Sequence, residues 1–241
     1  MTINLTVSGK DQPLSIRTRP EGSVPDWWLD LDLYGQPIYR IGNVCETCQA
    51  TFARVSDASL PLTPSALSKQ LGRGLKSINP QIIETVSRIL PEGTYCVGLL
   101  NIKPELKHLS RSVPSHSFPE YYWNVAESLG LGHKLETEAV LPIVAEKQLS
   151  PKHIKWYEAS LRRDEAPTAL ALSYLDFRVE RGSTDVVNFV HFLLDGHHKM
   201  MAASKLNMPI SLLSFFTTSN SMAAKRVISE LIKKRYQDFA Q

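Results

Sequence analysis

The sequence predicts an α+β fold in two parts, and three observations carry that reading. Short alternating or wholly apolar runs recur between turn residues along the 241-residue chain, which is a strand-rich pattern. Helix signals are fewer but have clear starts, such as Asn79-Pro80 and Ser150-Pro151. After about residue 139 the order becomes regular: strand, helix, strand, turn, strand, helix, strand, helix. The expectation is a mixed domain over residues 1–130, a linker over 131–138, and a second domain over 139–241 that closes with an amphipathic helix.

Each element follows from local chemistry. Residues 3–7 and 14–17 alternate around Gly9 to Pro13 and read as a hairpin. Residues 27–33, Trp-Trp-Leu-Asp-Leu-Asp-Leu, suit a half-buried strand, with Trp27 and Trp28 in the core. Gly35-Gln36-Pro37 makes a turn, and 38–44 with 50–55 form a second hairpin tipped by Cys45-Glu46-Thr47-Cys48. A helix near 64–71 takes Thr63 as its cap and breaks at Gly72-Arg73-Gly74. Asn79 caps a helix over 81–90, with Pro80 at its first position. Residues 95–102 are an unbroken apolar run and read as a buried strand. Residues 103–119, with Pro104, Pro114 and Pro119, read as an irregular loop, and 121–129 as a short helix ended by Gly130.

In the second part, 139–145 is a strand. Ser150 caps a helix from Pro151 to about Arg163, and Pro167 leads a strand over 168–174. Arg181-Gly182-Ser183 turns the chain into the apolar run 189–194. A helix over 200–206, a strand over 210–216 and a helix over 222–239 complete it.

The 27 basic and 24 acidic residues leave a net charge of +3, too little to argue for nucleic acid on bulk electrostatics. Lys225, Arg226, Lys233, Lys234 and Arg235 nevertheless crowd the last helix, so nucleic acid is kept as a partner through that helix. No apolar run reaches the ~18 residues of a membrane span. The first residues lack a signal-peptide pattern, so no membrane and a cytoplasmic location are expected. Cys45 and Cys48 resemble one zinc knuckle, but no second cysteine pair exists. Cys96, His108, His116 and His133 are irregularly spaced, so zinc is not expected there.

The chemistry-bearing motif is Asp195-Gly196-His197-His198-Lys199, between an apolar strand and a helix. A glycine turn opening a helix offers backbone N–H groups and the positive end of the dipole to an anion. The bland alternative is a plain structural turn, with Gly196 at positive φ and Asp195 as the cap. His191, within the apolar run, reads as a packed histidine.

The order strand, Leu-Ser-Pro helix, Pro-led strand, LLDGHHKMMAASKLN and closing strand resembles the ParB/sulfiredoxin-like domain over about residues 139–218. Within that family it looks like the Asp-Gly-His-His-Arg branch, which is similar to ADP-dependent free-serine kinases. The chromosome-partitioning members carry a double arginine where this chain has His197 and His198, and sulfiredoxins carry a cysteine where it has His197. Both differences argue against those two activities. What the resemblance implies is a nucleotide (ATP, ADP or CTP) or another phosphorylated small molecule bound with Mg²⁺, and a phosphotransferase or nucleotide-hydrolase step. It implies that the N–H groups of Gly196, His197 and His198 and the Lys199 side chain hold phosphates. Asp195 would cap the turn or help to hold Mg²⁺, Glu146 would be the general base, and His198 would line the same cleft. The alternative is a non-enzymatic module that binds DNA or protein on the same scaffold.

Overall fold

A computed structural model describes residues 2–9, 12–18, 29–42, 51–57, 62–109, 118–180 and 184–236. Trp27, Trp28, Cys45, Cys48 and His116 lie outside the described residues.

An eight-stranded mixed sheet organises the fold. Its strands are β1 (Ile3–Val7), β6 (Gly93–Ile102), β7 (Glu105–His108), β8 (Tyr121–Ala126), β9 (Leu135–Pro142), β10 (Thr168–Glu180), β11 (Thr184–Asp195) and β12 (Ile210–Thr217). The spatial order is β1-β6-β12-β10-β11-β9-β8-β7. β10 runs parallel to β12, and β11 parallel to β9; the other neighbours are antiparallel. A smaller antiparallel sheet has the order β2 (Leu14–Thr18), β3 (Leu29–Leu33), β4 (Gln36–Gly42), β5 (Thr51–Arg54).

The alternation of side chains along each strand builds a core on both faces of the large sheet. Leu170, Leu172 and Tyr174 of β10 join Val190 and Phe192 of β11 on one face. That face is covered by the small sheet and by α1 (Ser65–Gly72) and α2 (Pro80–Ser87). Ala169, Ala171 and Leu175 point the other way, with Phe189 and Leu193, under α3 (Pro151–Arg162), α4 (His197–Leu206) and α5 (Lys225–Arg235). A strand apolar on both faces reads as an unbroken run, which explains ALALSYL and NFVHFLL.

The helix starts obey their local signals. Asn79 Oδ1 accepts from the Ile82 N–H, and Ser150 Oγ accepts from the His153 N–H; proline occupies the first turn in both cases. α5 buries Val227, Ile228 and Leu231 and leaves Lys225, Arg226 and Lys233 exposed. No helix among the described residues is long and apolar enough to cross a membrane.

Several expectations are corrected. β1 and β2 do not pair; β1 lies on the edge of the large sheet against β6, while β2 pairs with β3. Residues 121–126 are a strand, because Tyr121 and Trp123 bury on alternate positions with the period of a strand. The presumed loop contains β7. The presumed linker lies partly inside β9, and the large sheet takes β1, β6, β7 and β8 from residues before 130. The two parts expected from the sequence therefore share one sheet.

β9 was disguised by its two glutamates. Glu136 accepts the N–H groups of Leu129 and His133 and the Ser128 hydroxyl. Glu138, fully buried, accepts from Arg235 Nη2 at 2.6 Å and from His191 Nε2 at 3.1 Å. The row continues across the sheet: His191 Nδ1 to Ser173 Oγ (2.7 Å), Ser173 to Ser214 (2.6 Å), Ser214 to the Tyr236 hydroxyl (2.6 Å). Burial holds His191 below its ordinary pKa, so it is neutral and donates to an ionised Glu138 that Arg235 balances.

The Tyr236 ring lies on Gly98 of β6, where an added Cβ would sit 2.6 Å from Cδ1. Gly98→Ala is expected to destabilise the protein by roughly 1–3 kcal/mol through overpacking, as read by urea unfolding. A change below about 0.5 kcal/mol, the size of an ordinary surface substitution, would mean that the α5 end is not packed there.

Candidate functional site

The strand–turn–helix order around Asp195 is as the motif predicts. β11 ends at Asp195, Gly196 takes φ +105°, and α4 begins at His197, three residues before the expected start at Met200. A side chain at Gly196 would have to sit 2.9 Å from Ala169 Cβ and 3.0 Å from its Cα, so both conformation and space call for glycine. No side chain caps α4; its first backbone bond runs from the Met200 N–H to the Gly196 carbonyl. The N–H groups of the first turn therefore lack intrahelical partners.

That helix end opens into a cleft of about 510 Å³ beside the carboxyl ends of the parallel strands β9 and β11. The walls come from far apart in the chain: Thr63 and Ser68 at the start of α1, Ile143 and Gln148 after β9, and Tyr157 on α3. The end of β9 is fixed from both faces, by the Tyr39 hydroxyl donating to the Pro142 carbonyl (2.6 Å) and the Tyr121 hydroxyl to the Val144 carbonyl (2.8 Å).

Asp195 is the centre of a buried polar knot. Its Oδ1 accepts from Lys199 Nζ at 2.7 Å; its Oδ2 accepts from the Thr63 hydroxyl at 2.8 Å and from the Ser68 hydroxyl. Lys199 Nζ also donates to the Thr168 carbonyl at 2.9 Å, and the Thr168 hydroxyl accepts the Leu75 N–H. Burial pushes the Asp195 carboxyl up, but the Lys199 charge and the three hydrogen bonds outweigh it, so its pKa lies below the ordinary range. Burial likewise lowers the Lys199 ammonium, and Asp195 only partly offsets this.

Both motif histidines accept backbone hydrogen bonds. His197 Nε2 takes the Ile143 N–H at 3.2 Å, and His198 Nε2 takes the Ser150 N–H at 2.9 Å. An accepting Nε2 requires the neutral ring with its proton on Nδ1. Burial pushes His197 down to about 3; burial and then the nearby His153 lower His198. The His198 and His153 rings meet edge-on at 5.2 Å.

The structure brings Asp195, Gly196, His197, His198 and Lys199 to one cleft and leaves Glu146 out of it. Glu146 opens a single 3₁₀ turn, Glu146–Gln148, and its carboxylate pairs with His108 Nε2 at 2.9 Å over a separate hollow that also holds Arg54 and Glu120. Within that turn Glu146 and Lys147 line the separate hollow and Gln148 lines the cleft, so a placement right in sequence is wrong in direction. Glu146 is therefore not the general base of this cleft. Lys199, expected to hold phosphate, has a side chain only 3% exposed and is paired with Asp195 inside the turn. Asp195 does not cap α4, and Thr63, expected to cap α1, spends its hydroxyl on Asp195 instead. Ser68, Tyr157 and Thr168 carry no local signal that would have placed them here. Among the described residues no group of three or more His, Cys, Asp or Glu side chains is arranged to hold a metal ion.

Comparison with protein-family models, with curated proteins and with solved structures gives no match.

Two outcomes check this geometry. Lys199→Ala strands a buried carboxylate and is expected to cost about 3–5 kcal/mol in urea unfolding. Adding Asp195→Asn should recover part of the loss, because the pair is coupled; a cost below 1 kcal/mol would place Lys199 in solvent. The second concerns pH. His197 is depressed from 6.5 to about 3 in the fold, so between those values the unfolded chain binds the extra proton. Its contribution is full above pH 6.5 and is lost as pH falls towards 3, on the order of 4–5 kcal/mol in all. His197→Gln, whose Oε1 can accept the same N–H without titrating, should flatten that slope. An unaltered slope in the variant would remove His197 as its source.

Proposed function

We propose that the cleft at the start of α4 binds the phosphate of a nucleotide or of another phosphorylated small molecule, on a ParB/sulfiredoxin-like scaffold. The observation that carries this is the uncapped N-terminus of a ten-residue helix exposed in the floor of a cleft. The N–H groups of the first turn would supply the donors and the helix dipole the positive potential. His198 supports the reading: with Nε2 occupied by the Ser150 N–H, its donor is Nδ1–H. The Asp195–Lys199 pair is internally balanced, so recognition would rest on oriented N–H groups more than on net charge.

A phosphotransferase or hydrolase step would extend the same reading. Asp195 is the one carboxylate that lines the cleft among the described residues. Its lowered pKa makes it a weak base, suited to orienting a hydroxyl rather than removing its proton. Oδ1 takes a single hydrogen bond and keeps a lone pair, so Asp195 would be the residue to hold Mg²⁺, which would neutralise charge on a bound phosphate. The DNA-binding alternative has less support, since Arg235 is turned inward to Glu138 and Lys234 donates to the Gly130 carbonyl.

Calorimetry with ATP, ADP, CTP, GTP and pyrophosphate, each with and without Mg²⁺, tests the proposal. Binding is expected, with His198→Ala weakening it by about 1 kcal/mol, the net worth of a typical hydrogen bond. Glu146→Gln should leave affinity unchanged. No binding of any of these ligands would sink the phosphate reading.

A further inference from the structure

Two surface hollows flank the second half of α1. One, of about 660 Å³, lies between α1 and α3: Lys69, Gly72 and Arg73 face Trp156 and Tyr157, with Glu165 also in its lining. The other, of about 670 Å³, lies between α1 and the segment that leads to α2, and is lined by Lys76 and Asn79. Lys69 and Arg73 line both. Packing fixes the walls. Gly74 lies so close to the Ala166 carbonyl that an added Cβ would collide with it, and the Leu75 N–H donates to the Thr168 hydroxyl at 2.9 Å. The end of α1 is thereby fastened to the chain just beyond α3.

Two features of this surface serve nothing inside the fold. Trp156 is 55% exposed, although tryptophan is normally well covered. Its ring packs edge-on to Tyr157, with centroids 4.7 Å apart and planes at 82°. Lys69, Arg73 and Lys76 are exposed, and among the described residues none of the three has an ion-pair partner. Glu165, the carboxylate in the lining, is already engaged by Arg163, which donates to it from Nε at 3.0 Å and from Nη2 at 3.1 Å. The C-terminal end of a helix favours cations, which explains Lys69 and Arg73. It explains neither Lys76, which lies beyond the helix, nor the bare indole.

We propose that this face of α1 and α3 docks an acidic segment of a partner protein. An apolar or aromatic side chain of that segment enters the hollow beside Trp156, and its carboxylates meet Lys69, Arg73 and Lys76. Three unmatched cations on one face select an acidic partner by charge complementarity. Tryptophan and arginine are the side chains most enriched among the anchors of protein interfaces, and here they face each other across one hollow. A single-stranded nucleic acid uses successive aromatic platforms along a basic track. This surface has one bare indole, with Glu165 in the same lining, so it fits a short acidic peptide better. Nothing in this depends on a phosphate in the α4 cleft.

Surface plasmon resonance on the full chain tests this with three probes: the random copolymer of glutamate and tyrosine, polyglutamate, and oligo-dT. The copolymer should bind about tenfold or more tightly than polyglutamate, the worth of one anchoring side chain, and added salt should weaken it. Trp156→Ala should bring the copolymer down to the polyglutamate level with the melting temperature unaltered, since the indole is exposed. Combining Lys69→Ala, Arg73→Ala and Lys76→Ala should abolish binding of both acidic polymers. Lys225→Ala with Lys233→Ala, on the exposed face of α5, should change neither. If the copolymer does not bind, or binds equally well without Trp156 or without the three cations, the docking site is wrong. Oligo-dT bound more tightly than the copolymer and lost with Trp156 would give the face to nucleic acid. Dimerisation of the chain that Trp156→Ala abolishes, read by light scattering, would give it to a second copy. Either result overturns the acidic-peptide site.

Discussion

The hydrogen bonds on the Asp195 carboxylate hold this site together. A charge this deeply buried is unfavourable unless it is paired and hydrogen-bonded, and Asp195 is both. Its partners define the geometry around it. Lys199 must fold back over the first turn of α4, and Asp195 is engaged by it rather than capping that turn. Thr63 and Ser68 must dock the start of α1 against the end of β11. Through Lys199 and the Thr168 carbonyl the same knot reaches the start of β10, and through the Leu75 N–H on Thr168 it reaches the segment after α1. One carboxylate thereby joins the early part of the chain to the late part and forms a wall of the cleft.

The histidines illustrate how burial decides charge. Three imidazoles could suggest an electropositive site, but His191 and His197 are buried and pushed towards the neutral form, and His198 is lowered as well. Neutral rings accept backbone N–H groups, and here they do so from Ile143 and Ser150. These histidines therefore fasten the segment after β9 to α4, an architectural use of a residue type that invites a catalytic reading. His191 does similar work beneath α5, where the Glu138–His191–Ser173–Ser214–Tyr236 row runs across four strands to the terminal helix. Each residue of the row is bonded through at least one atom, and so the row can specify where α5 lies. Glu138 Oε2 and Nε of its partner Arg235 are buried atoms without a partner.

Much of the second half was legible in the sequence. A proline-led helix with a serine cap is written in four consecutive residues, and Gly196 between an apolar strand and a helix former can hardly adopt another conformation. The candidate cleft was legible only as the motif itself. Thr63 and Ser68 meet Asp195 from 132 and 127 residues away, and nothing near them in sequence announces it. Glu138 read as linker because its balancing Arg235 lies 97 residues downstream. Tyr121 and Trp123 read as helix because six residues with mixed burial fit either period until their sheet neighbours are known.

By itself, then, the sequence determined the α+β class, the helix starts at Asn79 and Ser150, and the strand–glycine–helix turn at 195–199, because each depends on the chain's own dihedral preferences and on neighbours within a few residues. Only the tertiary structure decided that strands before residue 130 extend the same sheet as those after 139. It also decided that Glu146 faces away from the cleft, and that Lys199 is an internal counter-charge rather than a free cation. Those outcomes depend on which distant surfaces must be buried together and on which charges must be neutralised once they are, and both are set by packing between segments far apart in the chain.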